Sequence, residues 1–309
     1  MEQVFGSQTH YLLAVDGGEV AGILPLIHVK SALVGHYLTS LPGGMCARDD
    51  DAAQALFDKA SQLVRGAGAD YLILRDGQHK WPLPRLETNE AHVTFVIDLQ
   101  PGLETVRKNM QAGTRRALRH ALRDGLEVKD GTALLPHFYP VYARAMRDMG
   151  TPTPGFSFFR NLTTHFPDNL SLLTVFHDDQ VLGGGLVASL RDTVLCTWAG
   201  VLRKYYNLRP NHLLYWETIV HSDDHGFRWL DLGRCRRDSG AFTFKKGWGG
   251  ELRQLYQQTY LHGISKAPAV GKQLEERRQF RIFVKLWRML PPQVAEILGP
   301  LMRKRMPFG

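Results

Sequence analysis

One pattern occurs twice in this chain, about 160 residues apart, and it limits the folds available. In the first pass, residues 11–15 are apolar, Asp16-Gly17-Gly18 is a turn, and residues 20–29 form a second apolar run. Asp-Gly and Gly-Gly supply the positive φ angles of tight hairpins. A strand-like stretch at 36–40 follows, then helical spacing over 49–66 and a short apolar strand at 71–74. In the second pass the strands are 172–176 and 181–187, joined by Asp178-Asp179-Gln180, then 193–199, a helix over 211–226, and a strand at 229–232. The offset is 160 at Val15 and Val175, 161 at Val20 and Val181, and 158 at Tyr71 and Trp229. So constant a spacing points to duplication of a unit made of hairpin, strand, helix and strand. The expected class is α/β, with two related domains.

Between the copies, residues 103–123 read as one basic helix, with Gly125 as its C-cap. A strand at 126–129 and helices over 133–149 and 155–166 lead into the second hairpin. The first hairpin lacks these preceding elements, so the first domain is reduced at its N-terminus or the chain begins later than its relatives. The expected division is a first domain at 1–100, a basic connecting helix at 101–125, a second domain at 126–264 and a helical tail at 265–309.

Charge is placed unevenly. The net charge is +8, yet residues 272–305 hold nine Lys/Arg against three Glu and so contribute +6. This argues for a local basic segment rather than a nucleic-acid surface over the whole body. In the helix predicted from Gln273, Phe280, Phe283, Val284, Trp287 and Leu290 share one face, while Arg278, Arg281, Lys285 and Arg288 share the opposite one. Such a stripe suits peripheral contact with an anionic membrane or packing on a core, and both readings stand at this level. The three cysteines, Cys46, Cys196 and Cys235, suggest neither a disulfide framework nor a zinc site. No signal peptide and no spanning segment is visible, so a cytoplasmic protein is expected, at most peripheral to the inner membrane.

The densest chemistry lies in WLDLGRCRRDSGAFTFKKGWGG, residues 229–250. It opens as a strand, turns through Arg234, Arg236, Arg237, Asp238 and Ser239, and is expected to close as a second strand ending at Lys245 and Lys246. Charged loops beside a rigid strand are frequent sites.

Together YLLAVDGGEVAGILPLIHVKSALVG, RRALRHALRDGLEV, MRDMGTPTP, RPNHLLYWETI and LDLGRCRRDSGAFTFKKGWGG resemble the GNAT acyltransferase superfamily, in the doubled form of Fem-type peptidyltransferases. The resemblance is nearest to FemAB-like proteins associated with exosortase (PEP-CTERM) systems, and it covers nearly the whole chain. It implies tandem GNAT-like (acyl-CoA N-acyltransferase-like) domains with a C-terminal helical tail. It also implies transfer of an acyl or aminoacyl group to an amine of a cell-envelope, peptidoglycan or exopolysaccharide-related acceptor, saccharide- or lipid-linked.

Acyl transfer needs a positive group where the oxyanion forms. Lys245 matches the FK lysine that Fem-type enzymes place near the reacting centre, and is expected there; on a strand, Lys246 would point away. Asp231, at the carboxyl end of its strand, is expected to orient or deprotonate the amine, or to hold the loop by pairing with Arg234 or Lys245. Substrate-binding candidates are Arg234, Arg236, Ser239, Lys246, Asn211, Tyr215 and Trp198. Arg115, Arg116 and Arg119 are candidates for tRNA phosphate or an anionic acceptor, or form a solvated helix face.

CoA-dependent GNAT enzymes cradle pyrophosphate on a Gly-rich turn before a helix. Here that place reads Tyr206-Asn207-Leu208-Arg209-Pro210-Asn211-His212, without glycine and with a proline that lacks an N–H. This favours aminoacyl-tRNA or a carrier-bound acyl group as co-substrate over acyl-CoA. No motif binds a resident cofactor, and no GxSxG, Walker A, HExxH or paired CxxC occurs. A CoA-dependent N-acetyltransferase and a non-catalytic membrane-associated scaffold are the alternatives. An open cleft at Asp231 and Lys245, large enough for a donor, would favour the enzyme, and one plugged by Trp248 or the tail the scaffold.

Overall fold

The computed structural model describes residues 6–31, 35–265 and 278–303. It divides into two compact units: residues up to 93, 254–281 and from 301 in the first, and 94–253 with 282–300 in the second.

In the first unit, β1 (Thr9–Asp16) and β2 (Glu19–Ser31) form the expected hairpin, with a register shift at Ala14/Val15. β3 (Gly35–Ser40) pairs antiparallel with β2, and β4 (Cys46–Ala47) pairs with β2 as well. Helix α1 (Asp50–Gly66) starts at Asp49, whose carboxylate accepts the Ala52 N–H at 2.8 Å. That cap satisfies a backbone donor with no partner inside the helix. β5 (Tyr71–Gly77) pairs parallel with β3 through Tyr37↔Tyr71, Leu38↔Leu72 and Thr39↔Ile73. β6 (Leu86–Asp98) passes from the first unit into the second at 93/94. Residues 254–261 of β13 (Glu251–Leu261) flank β5 antiparallel. Leu56, Phe57, Ala60 and Val64 of α1 close the core over Leu24, Leu38 and Leu72.

The second unit begins with residues 94–98 of β6. The basic stretch expected as one helix is two: α2 (Leu103–Asn109) and α3 (Ala112–Arg123), broken at Met110, whose backbone is extended. Nη1 of Arg115 donates to the carbonyls of Lys108 and Met110, so an α3 side chain satisfies carbonyls at the end of α2. The C-cap of α3 is Asp124, with Gly125 following at φ 73°. β7 (Leu126–Asp130), α4 (Leu135–Met149) and α5 (Phe156–His165) come next. The second hairpin is β8 (Leu170–His177) and β9 (Gln180–Leu190), with its shift at Val175/Phe176, the place equivalent to the first hairpin's. β10 (Thr193–Val201), α6 (Pro210–Asp224), β11 (Trp229–Asp231) and β12 (Cys235–Arg236) complete the copy, and strand order runs β6-β11-β10-β9-β8-β7. Phe138, Tyr142 and Phe159 pack over one part of this sheet, and Leu118, Leu213 and Leu214 over another.

The stretch expected as a strand before Gly247 is instead helix α7 (Gly240–Lys246). Phe242 and Phe244 alternate as in a strand, but the Ser239 hydroxyl accepts the Phe242 N–H at 3.2 Å and starts a helix. In the tail, α8 (Arg278–Met289) and α9 (Pro292–Arg303) are helical. Residues 273–277, Lys304 and Arg305 lie outside the described residues. No described helix is long and apolar enough to cross a membrane.

Candidate active site

The site grows from the point where two parallel strands stop pairing. β10 and β11 match through Thr193↔Trp229, Val194↔Leu230 and Leu195↔Asp231, and the ladder ends there. Immediately beyond, β10 shifts register against β9 between Cys196 and Trp198. A bulge bends its strand and terminates pairing, a device common beside active sites. Asp231 thus stands at the last rung, where backbone pairing gives way to side chains.

Asp231 is held from two sides. Its Oδ1 accepts the Thr94 hydroxyl, brought alongside by the antiparallel pairing Asp231↔Val96, and the Gly233 N–H at 2.7 Å. Burial raises the Asp231 pKa above the ordinary 3.8, while Thr94, Gly233 and the charge of Lys245 act the other way. Gly233 is fixed in kind: its φ is 80°, and an added Cβ would stand 2.7 Å from the Cys196 carbonyl oxygen.

Lys245 is 7% exposed at the end of α7. Its Nζ donates to the carbonyls of Gly233 at 2.8 Å and Arg234 at 3.1 Å. The turn after Asp231 therefore wraps an ammonium group. Burial lowers the Lys245 pKa, against the opposing influence of Cys235, Cys196 and Asp231. Lys246 is exposed. Their opposite surroundings come from the helix, not from strand alternation.

Two thiols and a phenol share this environment. Burial pushes Cys196 up to about 12, raises Cys235, and raises Tyr215 well beyond the ordinary range of a phenol. All three are neutral near neutral pH. Tyr215 stacks on Trp248 with ring centres 5.8 Å apart and meets Phe244 edge-on at 4.9 Å. His212 joins at 5.1 Å from Phe244, its pKa lowered to about 4 by burial and by Arg209. Trp248 is fully buried beneath these rings.

The other predicted residues divide. Arg236 pairs with Asp238 at 2.9 Å, and the Ser239 hydroxyl caps α7 while donating to the Arg236 carbonyl at 2.7 Å. These two build the loop. Arg234 supplies a carbonyl to Lys245. Trp198 lies with Phe158 and Phe159 at 5.5 and 5.8 Å, in a core cluster. Asn211 lies in the first turn of α6, whose cap position is held by Arg209 in a left-handed conformation. Arg116 and Arg119 are exposed on α3, whereas Arg115 is partly spent on backbone carbonyls.

Helix α6 offers few backbone donors to an anion. Pro210 has no N–H, and the N–H groups of His212 and Leu213 return to the Arg209 carbonyl at 2.9 and 3.4 Å. A cavity of about 390 Å³ lies elsewhere in the same unit, lined by Leu103, Glu104, Arg107, Lys108, Arg115 and Trp216. The Arg107 guanidinium sits 5.9 Å from the Trp216 ring centre. Sequence reasoning missed this cavity, and it missed Thr94 and Gly233. The Asp-Leu-Gly spacing signals the Gly233 turn; nothing local signals Thr94, which is 137 residues from Asp231. Among the described residues, no group of three or more His, Cys, Asp or Glu is placed to hold a metal ion.

Comparison with known proteins bears on the fold. Residues 106–246 match the acetyltransferase (GNAT) domain family, from within α2 to the end of α7. The structure is similar to that of FemX at a TM-score of 0.67 and 15% identity, over 85% of this chain and 90% of FemX. It is similar to L-PGS from Bacillus licheniformis at 0.59 and 11%, over 91% and 88%. It is also similar to a tandem GNAT protein of the clavulanic acid biosynthesis pathway at 0.54 and 14%, over 84% and 85%. No curated protein matches the chain in sequence. The register-matched repeat, the bulged β10 beside β11 and the structural likenesses agree on one fold: a tandem GNAT-like α/β fold, of which residues 106–246 match the acetyltransferase (GNAT) domain family.

Proposed function

We propose that this protein transfers an acyl or aminoacyl group to an amine of a cell-envelope acceptor, saccharide- or lipid-linked, with catalysis in the second unit. The observation that carries this reading is a half-buried carboxyl of raised pKa at the end of the β10–β11 ladder, with a buried ammonium group held on the turn that follows it. In the step proposed, the amine nitrogen attacks the donor carbonyl, and a C–N bond replaces the donor's C–O or C–S bond. Asp231 takes the proton that the amine loses, and the proton passes to the leaving oxygen or sulfur. Lys245 supplies positive potential on the side where the oxyanion develops, while fixing the turn. General base catalysis is worth about 10²–10⁴ in rate, and a base works best when its pKa approaches the working pH.

For the donor we favour aminoacyl-tRNA over acyl-CoA. In the first turn of α6 Pro210 lacks an N–H, and those of His212 and Leu213 return to the Arg209 carbonyl, while the Arg107–Lys108–Arg115 cavity offers cations of the kind that grip nucleic-acid phosphate. FemX and L-PGS are similar in fold, which fits an envelope-directed transferase without naming the acceptor.

The test is transfer of a labelled amino acid from aminoacyl-tRNA, and separately of an acyl group from acyl-CoA, to amine acceptors of an envelope fraction. The kcat/KM profile is expected to rise with pH through an acid limb whose midpoint lies above 3.8, as Asp231 ionises, and to fall with rising pH through a basic limb whose midpoint lies below 10.5, as Lys245 deprotonates. Asp231→Asn should lower the rate and remove the acid limb. Transfer from neither donor would end the enzyme assignment. Transfer from acyl-CoA alone would replace the donor, and an unchanged acid limb in the Asn variant would displace Asp231 as the base.

A further inference from the structure

The tail helix α8 is apolar on two sides, and only one of them is packed. Trp287 is 3% exposed. A Cβ added to Gly150 would collide with Val284, so α8 lies close against the end of α4 there. Arg147 of α4 donates to the Leu290 carbonyl at 3.1 Å, and Arg288 donates to the Met149 carbonyl at 3.2 Å. The helix is thereby fixed in orientation, and its other apolar stripe faces outward. Ile282, Leu286 and Met289 recur one turn apart and are 47%, 59% and 72% exposed. The following helix α9 presents Ile297 at 69%. Scattered single apolar side chains on a surface are ordinary, but a continuous stripe marks an interaction site.

Charge decides what that site fits. Helix α8 contains no Asp or Glu. Arg281 and Lys285 are exposed, one residue before Ile282 and Leu286 respectively. Cations interleaved with exposed aliphatic side chains match a surface that is anionic at its face and apolar just beneath. A protein partner would need an acidic rim around an apolar groove; an anionic bilayer presents both everywhere.

We infer that α8 docks this protein on anionic lipid, with Ile282, Leu286 and Met289 entering the acyl boundary and Arg281 and Lys285 at the headgroups. This docking is independent of the acyl donor and of the roles of Asp231 and Lys245. Its consequence is two-dimensional access: a lipid-linked amine would be met on the same surface.

Flotation of the full chain with vesicles of phosphatidylglycerol and phosphatidylcholine in equal parts, at low salt, tests the inference. Wild type is expected to float with these vesicles and to stay behind with phosphatidylcholine alone. The triple variant Ile282→Ser, Leu286→Ser, Met289→Ser should reduce partitioning at least tenfold. Lys285→Glu, an exposed position, should weaken it severalfold and flatten its salt dependence, and so keeps the test decisive if the triple variant folds poorly. Wild type that fails to float, or variants that float equally well, would overturn the inference. So would a wild-type dimer that the triple variant converts to monomer, because the stripe would then be covered by a second copy.

Discussion

The third rung of two equivalent ladders carries opposite chemistry. In the first unit it is Thr39↔Ile73, and in the second Leu195↔Asp231. The strands around it are near copies, Tyr-Leu-Ile-Leu at 71–74 and Trp-Leu-Asp-Leu at 229–232. Beyond the rung, the first unit is bridged by a hydrogen bond: the Ser40 hydroxyl accepts the Arg75 N–H at 2.8 Å. The second unit has a bulge in β10 at this level, a glycine at position 233, and a buried lysine gathering the carbonyls of the turn. The helices that follow the strands differ in the same sense. Asp49 caps α1, with Asp50 and Asp51 in its first turn, so that end repels an anion; α6 has no acidic residue in its first turn and begins after Arg209. In the function proposed, one frame serves twice, as scaffold in the first unit and as site in the second. The difference lies in a bulge and three residues, Asp231, Gly233 and Lys245.

Removing Lys245 should erase that difference most completely. Lys245→Met leaves the Gly233 and Arg234 carbonyls without their donor, at a cost of about 1–3 kcal/mol. It also removes the cation from the reacting side, for a rate loss of about 10²–10³. Steady-state transfer assays and urea unfolding read the two separately, and full activity in a folded variant would reduce Lys245 to a loop anchor.

Gly233→Ala comes next. A side chain at φ 80°, with its Cβ 2.7 Å from the Cys196 oxygen, should cost about 1–3 kcal/mol of stability and displace Asp231. A shift in urea midpoint with reduced kcat is expected, and a neutral variant would show that the turn is not tightly held.

The smallest effect belongs to the first unit. Ser40→Ala removes the bridge to Arg75 and should cost about 1 kcal/mol, with kcat and KM unchanged. A large loss of activity there would overturn the assignment of scaffold and site to different units.

Much of the frame was legible from local pattern. Apolar runs on either side of Asp16-Gly17-Gly18 and of Asp178-Asp179-Gln180 located both hairpins, and helical spacing over 49–66 located α1. The near-constant offset exposed the duplication, because a repeated unit preserves spacing even where its chemistry diverges. Asp231 and Lys245 were readable as a pair, since a carboxylate ending a buried strand and lysines before a Gly-rich segment are both unusual. What failed locally was the state of residues 240–246: the stretch was expected to close as a strand, and the Ser239 hydroxyl that accepts the Phe242 N–H starts a helix there.

By itself, then, the sequence determined the class, the repeat and the stretch that differs between the copies. These depend on periodicity and composition over neighbouring residues. Only the tertiary structure decided that Lys245 is buried against two carbonyls, that Thr94 reaches Asp231 from 137 residues away, and that α8 turns one apolar face inward and the other out. Each is a matter of what lies opposite a side chain. Burial, and with it the pKa of a carboxyl or an ammonium group, depends on neighbours that the chain brings together only by folding.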